Sequence, residues 1–299
     1  RLMDNVLLEA LVRALAVGTP LLLACLGAII NERAGIVNLG VEGLMAVGAL
    51  AAFAVASKSP DASLWAAVGA AMLAGAALSA LHAFATVTLR ANQFVSGLAL
   101  AMIGTGAAGL LGKKFEGLPL FNKVPDWNLG GFTLSPFTLA ALVLAGLLAF
   151  YLNSTRGGLT LRSVGENPAA ADVLGVNVGL VRWLAVMGGG ALAGLAGAFL
   201  ALSYRASWAD NMTAGLGWIA VALVIFVGWN PLRAVLGSVF FGFLYYLQFR
   251  LQGNSPIPPE VFSAMPFVLV LVVLALAGRR GQAGNAPAAL GRVYVRGER

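Results

Sequence analysis

Twelve acidic side chains, one histidine and one cysteine are spread through 299 residues, and their spacing sets the first limits on the chemistry. A metal site needs several His, Cys or carboxylate ligands converging on one ion, whereas His82 and Cys25 are the lone imidazole and the lone thiol, each inside an apolar run. No metal ligands are expected. A histidine-activated nucleophile is excluded on the same ground, and no G-x-S-x-G elbow is present, so His82 reads as a hydrogen-bonded interior residue. The phosphate-cradling pattern G-x-x-x-x-G-K-[ST] is also missing, because Gly109-Leu110-Leu111-Gly112-Lys113-Lys114 has neither its spacing nor its hydroxyl. The chain is therefore expected to have no catalytic residues, to be no enzyme and to bind no cofactor itself. Glu42 is the acid that stands out: it closes the polar, glycine-punctuated stretch Asn31-Glu32-Arg33-Ala34-Gly35-Ile36-Val37-Asn38-Leu39-Gly40-Val41-Glu42-Gly43 and opens an apolar run. A carboxylate at that depth is costly unless paired, hydrated or protonated. Arg33 is its nearest preceding cation, so a structural Arg33–Glu42 ion pair is the first expectation and a direct role toward a solute the second.

Two further polar islands interrupt the apolar chain. In Asn92-Gln93-Phe94-Val95-Ser96-Gly97, Asn92 and Ser96 are four apart and share a helix face, offering amide and hydroxyl groups to a polyhydroxylated ligand. Asn38, Glu42, Asn92, Gln93 and Ser96 are accordingly the candidate solute-path residues. The other island, Gly165-Glu166-Asn167-Pro168-Ala169-Ala170-Ala171-Asp172-Val173-Leu174-Gly175-Val176-Asn177, reads as a short capped helix. Asn167 suits the N-cap, Pro168 the first helical position, and Gly175 the left-handed residue that ends it. Two turns are marginal alone. Flanking spans or a docked partner must hold the helix.

The elements that position these islands follow from composition. With 60% hydrophobic and 10% charged residues, against about a quarter charged in soluble domains, the chain is an all-α polytopic membrane bundle. Runs free of Asp, Glu, Lys and Arg, save for Glu42 near the start of the second, predict about nine transmembrane helices, over residues 14–30, 39–57, 64–89, 94–112, 135–153, 183–203, 216–228, 234–249 and 261–277. Small residues such as Gly189, Gly190, Gly194 and Gly197, with Gly104 and Ala108, are expected to let backbones approach closely. No cleavable leader is expected, because Glu9 and Arg13 precede the first apolar run and no small-residue cleavage site follows it. The lone cysteine excludes an intrachain disulfide.

Residues 1–278 thus form a transmembrane domain with a polar loop at 154–182, and residues 279–299 a basic tail. The net charge of +7 lies largely in arginines of short loops and of that tail, which fits topology and anionic lipid better than nucleic acid. No nucleic-acid partner is expected. Placing Arg33, Arg90, Arg156, Arg162, Arg182 and Arg233 inside puts the N-terminus out, the C-terminus in, and all four lysines outside. The tail is expected to lie loosely ordered near the lipid surface.

Four of these stretches carry a resemblance. G-x-N-P-x-A-A-x-x-x-G-V at 165–176 looks like the coupling-helix loop of ABC importer permeases, in the branch serving nucleosides, simple sugars and branched-chain amino acids. N-E-R-A-G-I-V-N-L-G-V-E-G resembles the opening of the second span in its nucleoside and simple-sugar members, Asn92-Gln93-Phe94-Val95-Ser96-Gly97 the entrance of the fourth, and Gly217 to Pro231 a late G-x-I-A-x-A-x-x-I segment. Ala101 departs from it, where an Asn is common. The resemblance implies a permease subunit in a bacterial inner membrane, translocating a nucleoside or similar small polar solute, with a simple sugar as the alternative. It implies a second homologous permease in a heterodimer or homodimer, a separate ATPase that carries ATP and Mg and grips residues 167–175, and an extracytoplasmic binding protein. A stand-alone secondary transporter is the rival class; it would need midplane coupling-ion acids in internal repeats, and Glu42 is the one candidate acid.

Overall fold

The computed structural model describes residues 2–59, 61–129, 132–252, 258–279 and 285–295. The helices are α1 (Leu2–Arg33), α2 (Val41–Ala56), α3 (Leu64–Ala83), α4 (Gln93–Gly112), α5 (Pro136–Ser154), α6 (Arg156–Glu166), α7 (Pro168–Val173), α8 (Val178–Phe199), α9 (Leu216–Phe226), α10 (Pro231–Gln252) and α11 (Pro259–Arg279). Among the described residues α1, α3, α4, α5, α8 and α10 are long and apolar enough to cross a membrane, while α2 and α9 are apolar but shorter. Their starts are written in polar side chains. Ser63 accepts from the Ala66 N–H, Asn92 from Phe94 and Val95, and Asn177 from Leu180, which satisfies donors that an helix leaves free at its first turn.

α8 is the axis of the bundle, packed against α1, α2 and α3. The glycine rows make that possible: a Cβ added to Gly48 of α2 would lie 2.5 Å from the Gly194 Cα of α8, and one on Gly104 of α4 would lie 2.5 Å from the Gly43 Cα of α2. Backbones touch where side chains would otherwise intervene, as expected of helices that associate without a hydrophobic drive.

Three helices end alike at one end of the bundle. After α1 the Ile36 N–H reaches the Asn31 carbonyl, after α7 Val176 reaches Ala171, and after α9 Trp229 reaches Val224. Each is a Schellman closure around a left-handed glycine, Gly35, Gly175 and Gly228. At the opposite end a hairpin pairs β1 (Trp127–Leu129) with β2 (Phe132–Leu134), and residues 118–124 bond to the segment after α8 through Leu120 to Ala206 and Val124 to Leu202.

The sequence reading missed three of these features. α6 lies inside what was expected to be loop, because Gly157 and Gly158 at its start mask a buried row of Gly158, Leu161, Val164 and Gly165. The β1–β2 hairpin was likewise expected as a polar connection. Residues 285–295 are packed, correcting the expectation of a loosely ordered tail: Ala289 is buried, and the Ala289 N–H donates to the Gly165 carbonyl at 2.9 Å. The rest of that tail, 280–284 and 296–299, lies outside the described residues.

Replacing Gly48 by leucine forces a side chain into the Gly194 backbone, and an overpacked core site costs about 1–3 kcal/mol. The thermal midpoint of the detergent-solubilised Gly48→Leu protein should fall; an unchanged midpoint would refute the close α2–α8 contact.

Candidate functional site

Glu42 stands in the first turn of α2 and is 5% exposed. Its carboxylate is fully occupied. Oε1 accepts the Thr213 hydroxyl at 2.5 Å and the Gly215 N–H at 2.9 Å, and Oε2 accepts the Gly217 N–H at 2.7 Å. These donors surround the start of α9, whose free N–H groups and positive dipole end favour an anion. Gly217 admits the approach, since a Cβ there would lie 2.5 Å from the Glu42 Cα.

The expected Arg33–Glu42 pair is not formed. Arg33 closes α1 and turns toward the α9–α10 turn, where its Nε and Nη2 donate to the Trp229 carbonyl at 3.3 and 3.2 Å. The Trp229 indole in turn donates to Glu32 at 2.6 Å. The physical reason is the Gly35 reversal and the turn that follows it, which separate the two side chains: the anion meets a helix N-terminus and the cation a carbonyl of the α9–α10 turn.

The remaining polar candidates hold backbone. Asn38 Oδ1 accepts the Gly40 N–H at 2.8 Å, and Gln93 Oε1 accepts the Val37 N–H at 2.7 Å. Asn92 caps α4, so it does not share a free polar face with Ser96. The Ser96 hydroxyl meets His82 Nδ1 at 2.9 Å, and His82 Nε2 lies 3.0 Å from the Val37 carbonyl. A carbonyl only accepts, so Nε2 carries the proton and, in the neutral ring, Nδ1 accepts from Ser96. Asn38, Glu42 and Gln93 are buried, whereas Asn92 is exposed and Ser96 half-buried. Between α2, α4 and residues 208–213 a cavity of about 60 Å³ has Thr105, Asp210, Asn211 and Thr213 in its lining.

α7 presents the other surface. Asn167 Oδ1 accepts the Ala170 N–H at 3.0 Å, Pro168 occupies the first turn, and Ala171 faces inward against Val164 and Val178. Ala169, Ala170, Val173, Leu174 and Gly175 face outward, with Val173 and Leu174 87% and 83% exposed. Asp172 is half-buried on the same helix.

Six long apolar helices among the described residues define a multi-pass membrane protein. The model of the family described as "Branched-chain amino acid transport system / permease component" matches residues 10–274, and the chain belongs to that family. It is 37% identical to a Haloferax volcanii protein whose name assigns it provisionally as a glucose ABC transporter permease, with 97% of each chain covered. It is 35% identical to a nucleoside ABC transporter permease of Lactococcus lactis, over 91% of this chain and 93% of that one. It is also 35% identical to a guanosine ABC transporter permease of Bacillus subtilis, over 95% and 96%. No solved structure matches it. The chain is thus the permease component of an ABC transporter, a transport subunit rather than an enzyme.

The sequence reading missed Thr213 and Gly215 as partners of Glu42, and Trp229 as the partner of Arg33. The available signal was Gly215 and Gly217 opening a short apolar span, a pattern that provides free N–H groups for an anion.

Glu42→Ala removes the acceptor for two buried donors and one half-buried one and should cost on the order of 3 kcal/mol. Arg33→Ala should add to it independently, with a coupling energy under about 0.5 kcal/mol, because the two side chains share no partner. A double-mutant cycle by chemical unfolding in micelles measures this, and strong coupling would restore the direct pair.

Proposed function

We propose that the chain is one half of the pore of an ABC importer that carries a nucleoside or a similar small polar solute across a bacterial inner membrane. The observation that carries this is α7: a fully capped two-turn helix with Val173 and Leu174 outside, in a chain of this permease family. So short a helix keeps its shape here through Asn167, Pro168 and Gly175, leaving an apolar surface ready for a partner. That partner is a separate ATPase holding ATP and Mg. A second homologous permease completes the pore, and an extracytoplasmic binding protein delivers the solute. With α2, α9 and α11 counted as crossings, the chain passes the membrane nine times.

Orientation follows from charge. Arg33, Arg162, Arg182 and Arg292 gather around α6 and α8 at the α7 end, while Lys113 and Lys114 follow α4 at the other. The positive-inside rule puts α7 in the cytoplasm, with the N-terminus outside and the C-terminus inside. The solute path runs past the cavity at Thr105 and Asn211 and down α2 and α4. Asn38, Gln93 and Ser96 shape its lower wall by fixing the backbone of residues 34–40. Names of relatives point to two solutes, nucleosides in four and glucose in two, so a simple sugar is the second reading. A calorimetric screen of the cognate binding protein against guanosine, other nucleosides and glucose decides between them.

In the assembled transporter, Ala170→Arg places a long cation on the exposed face of α7. Membrane insertion and permease pairing should persist, while ATPase co-purification and solute-stimulated hydrolysis are lost. Normal transport by this variant would sink the docking role of α7.

A further inference from the structure

Residues 285–295 offer little side-chain chemistry, yet five elements meet on them. The Ala289 N–H donates to the Gly165 carbonyl at 2.9 Å and the Ala288 N–H to the Glu166 carboxylate at 3.1 Å, fastening the segment to the end of α6 beside α7. Tyr294 packs against the small apolar cluster that Val164, Ala171 and Val178 form, one residue each from α6, α7 and α8. On the other side the Gly291 N–H donates to the Gly35 carbonyl at 3.1 Å, inside the turn between α1 and α2. The Arg292 carbonyl accepts from Arg182 Nη1 of α8 at 3.3 Å and from Gln93 Nε2 of α4 at 3.4 Å. Gln93 is the residue whose Oε1 also holds Val37 in that same turn.

We infer that residues 285–295 are a positioning strap, which carries displacement of α7 to the α1–α2 turn and to the first residue of α4. The inference rests on α7 being the ATPase contact. The bonds run through main-chain atoms of residues 288–292, which fold into consecutive turns closed by Leu290 on the Pro287 carbonyl and Arg292 on the Ala289 carbonyl, so the strap links its partners by its shape. α7 and α6 lie at one edge, and the helices that wall the solute path lie at the other. A push on α7 then reaches α4 through bonded atoms, without waiting for α8 to repack. Coupling of two sites requires such an element, with both biased by its position.

Gly291 gives the test, because it sits at φ +74 while an added Cβ would meet Phe94 and Val37 only at ordinary contact distances of 3.5 to 3.8 Å. Space is available and backbone conformation is the constraint. Asparagine tolerates the left-handed region and valine does not. The complete transporter, with partner permease, ATPase and binding protein, is reconstituted in proteoliposomes with guanosine or glucose as the solute, whichever the binding protein takes. Gly291→Val should lower solute-stimulated hydrolysis and uptake by about tenfold, within the usual range of coupling between sites, while ATPase co-purification and basal hydrolysis stay at parental levels. Gly291→Asn should restore stimulation. Tyr294→Ala provides the same measurement through the packing contact if the valine variant does not assemble.

Parental stimulation in Gly291→Val, or in Tyr294→Ala where that variant replaces it, overturns the strap, as does equal loss in the valine and asparagine variants. Loss of ATPase binding along with stimulation overturns it too, since the segment would then be part of the dock. Failure of the α7 reading shows elsewhere, in an Ala170→Arg transporter that still binds its ATPase.

Discussion

Every buried peptide group must find its hydrogen bonds inside the protein, and the start of α9 is where this chain meets that demand with a charge. A helix beginning within the bundle leaves its first N–H groups without intrahelical partners. Glu42 supplies the missing acceptors from α2, and Gly217 clears the space for it. α2 and α9 are fixed to one another at this point, and the cavity at Thr105 and Asn211 sits on the resulting joint. The carboxylate is tolerable for the reason the helix is: each satisfies what the other leaves open.

The same accounting is done in the opposite sense at the α7 end. There the free groups are carbonyls, and arginines meet them: Arg33 on Trp229, and Arg182 on Ala34 and on Arg292. Schellman closures after α1, α7 and α9 expose their last carbonyls in one region, so a cation can serve the end of one helix while belonging to another. This pattern joins elements far apart in sequence, and it explains why a cluster of arginines at this end needs few carboxylate partners.

Much of the bundle was legible in the chain. Spans bounded by charge gave helix positions close to those observed, and Asn167, Pro168 and Gly175 specified α7 because capping is local chemistry encoded within a few residues. What was illegible depended on distance. Arg33 and Glu42 are neighbours in sequence on either side of a glycine reversal, and no local rule says that their partners lie near 229 and 215. The polar set at Asn38, Gln93 and Ser96 looked ready for ligand because unpaired amides and hydroxyls suggest it; Gln93 and Ser96 instead meet Val37 and His82, contacts made only when helices assemble, and Asn38 closes a local turn onto the Gly40 N–H. α6 was hidden by glycines that serve packing, and the segment 285–295 by a composition that resembles a tail. Main-chain bonding leaves no trace in side-chain type.

The glycine rows along α8 have a mechanical corollary. Glycine and alanine surrender no rotamer freedom on burial, so the central seam is assembled without freezing long side chains. Its contacts are set by main-chain shape where backbones meet, as at Gly48 on Gly194, and by short side chains where Ser79 fills the gap at Gly190 and bonds the Val186 carbonyl. With few rotamers to rearrange, such a seam changes by helices shifting as whole rods and not by repacking of long side chains.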